Sequence, residues 1–154
     1  MQKPVLYVLA AILGMIIGIG IGSFLLPRPG ASLGIASRTA AVDAAMAITE
    51  RWDAQQLISR ESPELARAAP DDRVDGLFNT LRRLGVRLGI DGCSGKATAV
   101  PNRDGTETDT ADYACPAHFQ AGDGSIEISL VKTGDVWKIS AFQIITTALG
   151  QPRQ

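Results

Sequence analysis

The chain has 154 residues, 45% of them hydrophobic, with 15 basic and 16 acidic groups and a single histidine. That length holds one anchor and one small domain, because domains commonly run to about 100–150 residues. From residue 39 onward 12 basic groups stand against 16 acidic ones, and a mildly acidic domain repels nucleic-acid phosphates, which normally demand a basic stripe.

Val5–Leu26 is 22 residues long without a formal charge. As a helix it would extend about 33 Å, enough to cross the hydrocarbon core of a bilayer. A cleavable signal has a shorter apolar stretch and an A-x-A-like site, which the small residues near Gly30-Ala31 and Ile35-Ala36 match poorly. Residues 1–27 are therefore expected to form an uncleaved transmembrane anchor in contact with membrane lipid. Within it Ala10, Gly14, Gly18 and Gly22 recur every four residues and share one strip. Such a strip suits close packing against another membrane helix, either a second copy or a different protein; glycine is also simply common in membrane helices. Lys3 precedes the span while Arg28 and Arg38 follow it, so positive charge alone does not set its direction.

The Pro, Gly and Ser content of Pro27–Gly34 predicts a linker over residues 28–38. A domain over residues 39–148 and a short tail, 149–154, would follow. Val42, Ala45, Met46, Ile48 and Trp52 fall mainly on one helical face after a capping Thr39, which predicts a first helix over Thr39–Trp52. Ser62-Pro63-Glu64 gives a cap, a proline at the first helical position and an acid in the first turn of a short helix that Pro70 ends. Asp71, Asp72 and Asp75 then open a helix whose Val74, Leu77, Phe78, Leu81 and Leu84 keep helical spacing, with Arg82 and Arg83 near its end and Gly85 as the stop.

Beyond Gly85 the period changes to two. Strands are expected at Val86–Ile90, Lys96–Val100, Ala111–Phe119, Ser125–Lys132 and Val136–Thr146. Turns are expected at Asn102–Gly105, Gly122–Gly124 and Thr133–Asp135. In the last strand Trp137, Ile139 and Ala141 share a face before Phe142 and Ile144 shift the phase, which predicts a bulge and a curved sheet. Helices followed by an antiparallel meander define an α+β fold: helices packed on a curved sheet of four to five strands. Cys93 and Cys115 stand 22 positions apart, a disulfide in an oxidising compartment or two buried thiols in a reducing one. An N-terminal anchor with an exported domain makes the pair and the span consistent. The expected location is the inner membrane, single-pass, with the C-terminal domain in the periplasm or outside the cell.

Trp52-Asp53, Ser62-Pro63-Glu64-Leu65, the helix end Leu81-Arg82-Arg83-Leu84-Gly85 and the final hairpin Val131-Lys132, Asp135-Val136-Trp137-Lys138-Ile139 and Phe142-Gln143-Ile144 carry a resemblance. Over roughly residues 38–148 the chain resembles the small cystatin-like and nuclear-transport-factor-two-like domains of exported bacterial proteins. The resemblance implies helices on a curved sheet with a cavity between them; it implies no particular activity, since that architecture hosts enzymes, binding modules and inert subunits alike.

No G-x-S-x-G elbow, phosphate-binding glycine loop or Cys-x-x-Cys-His motif is present, which removes the easily recognised enzymes. His118 has no second histidine or Cys-x-x-Cys to complete a metal site, and no metal or other cofactor is expected. The resembling fold also includes ketosteroid isomerases, which pair an acidic base with a phenol; Asp109, Asp112, Tyr113 and Glu127 are the residues available to imitate that, without a matching motif. Asp112, Tyr113 and His118 mark the place for a pocket if one exists. Arg82, Arg83 and Arg87 could meet an anionic partner or simply form a solvated helix end. Two functional expectations follow. The first is a non-catalytic, membrane-tethered interaction domain, an accessory or assembly subunit of a membrane complex. The second is a small-ligand module or small enzyme using a cavity between sheet and helices.

Overall fold

The computed structural model describes residues 31–150. The expected anchor, its strip Ala10, Gly14, Gly18 and Gly22, and the last residues of the tail lie outside that range. Four helices, α1 (Ala31–Arg51), α2 (Ala54–Ile58), α3 (Pro63–Ala68) and α4 (Asp71–Leu81), precede five strands. The strands are β1 (Arg87–Ile90), β2 (Ser94–Pro101), β3 (Glu107–Phe119), β4 (Gly122–Thr133) and β5 (Val136–Thr146). All strand pairs are antiparallel, so the expected α+β class with a five-stranded sheet holds. Among the described residues no helix is long and apolar enough to cross a membrane.

The predicted linker over residues 28–38 is corrected: α1 begins by Ala31 and takes up Gly34. Thr39 does not cap it; its hydroxyl donates back one turn to the Ile35 carbonyl, 3.1 Å away. A tertiary contact offsets the poor helix propensity of Gly34 and Ser37. The Ser37 hydroxyl is fully buried, 2.8 Å from the Tyr113 hydroxyl of β3, and the Gly34 carbonyl accepts from that same phenol at 3.1 Å. Below this point Ala41, Ala44, Ala45 and Ile48 let α1 lie close on the sheet. The helix ends at Trp52, a non-glycine residue with φ of 52°. That left-handed backbone costs about 1–2 kcal/mol. Burial of the indole against Phe119, with ring centroids 5.4 Å apart, and a 2.7 Å hydrogen bond from its N–H to the Gly85 carbonyl offset the cost.

The Ser62 hydroxyl accepts from the Leu65 N–H at 3.2 Å, the predicted cap, worth about 1 kcal/mol. The segment before it covers part of the β5 edge: the Ile139 N–H donates to the Arg60 carbonyl at 2.7 Å and its carbonyl accepts from the Ser62 N–H at 2.8 Å. α4 buries Val74, Phe78 and Leu81, as its spacing predicts, and passes through a 3-10 turn, Arg82–Leu84, to Gly85 at φ 74°.

In the sheet, β2 to β5 form a meander, while β1 pairs with the far end of β3. β1 and β2 therefore lie end to end along one edge of β3, covering Ala117–Phe119 and Glu107–Ala114 respectively. The expected phase shift in β5 is a bulge: Ile139 faces Leu130 and Ala141 faces Ser129, leaving Ser140 as the extra residue. The turn expected at Gly122–Gly124 is corrected to Gln120–Ala121, because Phe119 already pairs with Gly122. Gly124 is a strand residue whose small size answers a close approach: a Cβ there would sit 2.9 Å from the Ile145 carbonyl oxygen.

Candidate functional site

Strand alternation sorts the candidate residues before any distance is measured. The face of the sheet toward the helices carries Ala111, Tyr113, Cys115, Ala117, Phe119, Ile126, Ile128, Leu130, Ile139 and Phe142, none more than 3% exposed. Phe78 of α4 stacks on Phe142 at 6.4 Å between centroids, and Ile48, Leu57, Leu81 and Leu84 complete the layer. Side chains thus occupy the space between sheet and helices.

Tyr113 belongs to that inner face, with its hydroxyl committed to Ser37 and Gly34. Asp112 and His118 alternate with it and lie on the opposite, outer face. An open groove of about 290 Å³ on that face is lined by Ser94, Asp112, Tyr113, Ala114, Glu127, Ile128 and Ser129. Asp112 and Tyr113 border it; His118 does not, so the three expected pocket residues do not form one site. Glu127, already a candidate acid from the sequence, lines the groove as well, and strand register adds Ser129 and Gln143: Asp112 faces Ser129, and Glu127 faces Gln143. The Ser129 hydroxyl donates to Asp112 at 2.6 Å and the Gln143 amide donates to Glu127 at 2.5 Å. Each carboxylate is satisfied by a neutral donor. Neither Ser94 nor Ser129 has an imidazole beside it, so the groove has no activated nucleophile. It can accept hydrogen bonds from a cationic or hydroxylated group. Asp109, the remaining candidate acid, pairs instead with Lys132 at 3.8 Å.

His118 is held at both ring nitrogens, by Asp123 on Nδ1 at 2.7 Å and by Asp91 on Nε2 at 2.9 Å. A ring held twice in this way has no free nitrogen to act as a base, and it ties the β1–β2 connection to the start of β4. Hydrogen bonding to Asp123, then to Asp91, with the charge of both, raises the His118 pKa above its ordinary 6.5. The raised folded value means that this contribution to stability is complete below the unfolded pKa and is lost as pH rises through the folded one. As pH rises above 6.5 the denaturation midpoint is expected to fall more steeply for the natural protein than for His118→Gln. Because His118 is the sole histidine, its NMR titration reads the shift directly; a value at or below 6.5 would remove the clamp.

On the inner side of the same junction Cys93 and Cys115 are bonded, with Cα atoms 4.1 Å apart, as their spacing suggested. Among the described residues no group of three or more His, Cys, Asp or Glu side chains is arranged to hold a metal ion. No protein-family model matches the chain, and no curated protein matches it.

Proposed function

We propose that the chain is a membrane-anchored extracytoplasmic interaction domain, a non-catalytic accessory or assembly subunit of a membrane complex. The observation that supports this most is the filled layer between sheet and helices, where Tyr113, Phe142 and Phe78 stand in place of a ligand cavity. The outer groove offers the carboxylates of Asp112 and Glu127, each bonded to a neutral donor, and no imidazole lines it beside its serines. A bonded cysteine pair fits a compartment outside the cytoplasm. The apolar stretch ends at Leu26, five positions before Ala31, the first described residue of α1, so an anchored domain would be held close to the bilayer surface. On this reading the strip Ala10, Gly14, Gly18 and Gly22 packs against a partner helix, from another membrane protein or from a second copy.

Two measurements test it. A reporter fused at Gln154 is expected to be active outside the cytoplasm, and activity confined to the cytoplasm overturns the topology. Gly18→Ile is expected to abolish co-purification of the partner from mild detergent while leaving the far-ultraviolet spectrum of the domain unchanged. Helices in lipid associate through close dispersion contacts, and a β-branched side chain on the strip holds them apart. Undiminished co-purification by that variant removes the strip from the mechanism.

A further inference from the structure

β1 is an edge of the sheet that carries exposed apolar residues with cationic groups beside them in sequence. Among the described residues no strand pairs with its outer side. The neighbouring edge strand β2 carries Lys96 and ends at Pro101, residues that discourage strand addition, and Arg60–Ser62 bonds to the β5 edge at Ile139. β1 carries Arg87 and a register slip of its own, so what sets it apart is its exposed apolar surface. Val86, just before it, is 57% exposed and Leu88 is 68% exposed, the latter where the register slips by one residue between Arg87 and Gly89.

Among the described residues the cations at and just before β1 form no ion pair: the pairs are Glu64–Arg67, Asp109–Lys132 and the two of His118, so none involves Arg82, Arg83 or Arg87. Arg82 donates only to the neutral Asn79 side chain. Arg87 has its Nε buried with no hydrogen-bond partner, a state that folded proteins seldom leave unanswered.

We propose that the β1 edge docks an extended acidic segment of a partner protein, with apolar side chains of that segment on Val86 and Leu88 and its carboxylates on Arg82, Arg83 and Arg87. The proposal deepens the interaction reading and rests on it. The slip at Leu88 interrupts regular backbone pairing, so side-chain complementarity sets the specificity: an acidic partner is accepted and a basic one is rejected.

The test uses the full-length protein in detergent and a synthetic peptide of about six residues alternating glutamate and valine. Its counterpart replaces glutamate by lysine. The acidic peptide is expected to shift amide resonances of residues 82–90, and the lysine peptide to leave them in place. Arg87→Glu is expected to weaken binding about tenfold or more. Because Arg87 is partly buried, Leu88→Glu at a well-exposed position serves as the second variant, with a similar loss expected and the fold retained. Equal binding of both peptides, no binding of the acidic one, shifts mapping elsewhere, or unchanged affinity in Leu88→Glu each overturns the proposal. The two readings fail separately. If the membrane partner still co-purifies with Leu88→Glu at full yield, the edge is not the docking site although the interaction reading stands. If the natural protein captures no membrane partner, the broader reading falls whatever the peptide does.

Discussion

Gly95→Ala is expected to destabilise the domain by about 1–3 kcal/mol, the range found when an added methyl forces well-packed neighbours to shift. A Cβ at this position would stand 1.9 Å from the Asp112 carbonyl oxygen and 2.8 Å from Cδ1 of Tyr113. Neither neighbour can give way cheaply. Asp112 belongs to β3, which is paired to β4 on its other side, and the Tyr113 ring is fixed by the contacts of its hydroxyl with Ser37 and Gly34. Gly76→Ala in α4 is the control, since a Cβ there meets nothing within 4 Å, and it is expected to stabilise by up to about 1 kcal/mol. Urea denaturation of the two variants checks both signs. Equal midpoints for Gly95→Ala and the natural protein would mean that β2 and β3 do not approach in this way.

Loss of the Cys93–Cys115 bond is expected to cost about 3 kcal/mol, the chain-entropy value for a loop of this size. The location makes the full effect plausible to measure. The bond closes the junction where the β3 edge passes from β1 to β2, and Cys115 is wholly buried in the inner layer. The double substitution Cys93→Ala and Cys115→Ala removes the crosslink without leaving a reactive thiol. Its thermal midpoint is expected to be well below that of the oxidised protein and insensitive to reductant, whereas the natural protein should drop on reduction. A natural protein whose midpoint ignores reductant contradicts a stabilising bond.

The elements legible in the sequence were those with uninterrupted period. α4 announces itself through Val74, Phe78 and Leu81, and β3 and β4 through alternation, because burial of one face imposes the spacing directly. The start of α1 was hidden because Gly34 and Ser37 have the composition of a linker, and the phenol that holds them is 76 or more positions away. Gly122 follows the turn at a positive φ of 146°, whereas Gly124 imitates a turn for an unrelated reason, the close approach of β5. The split of Asp112 and His118 from Tyr113 was present in the sequence as simple parity. The partners of His118 were not: Asp91 and Asp123 reach it only once β1, β3 and β4 are in register. The groove acids behave likewise, since the pairing of Glu127 with Gln143 depends on how β4 meets β5.

The cysteine bond encloses the whole β2–β3 hairpin, including the exposed turn Asn102–Thr106 with its Arg103. A protease that cut this turn would open the polypeptide without releasing either piece, because the crosslink at the hairpin's base joins them and eight register pairs keep β2 on β3. Covalent continuity and folded integrity are thus separated at the hairpin tip. In a compartment rich in hydrolases the damage would stay silent until the bond was reduced.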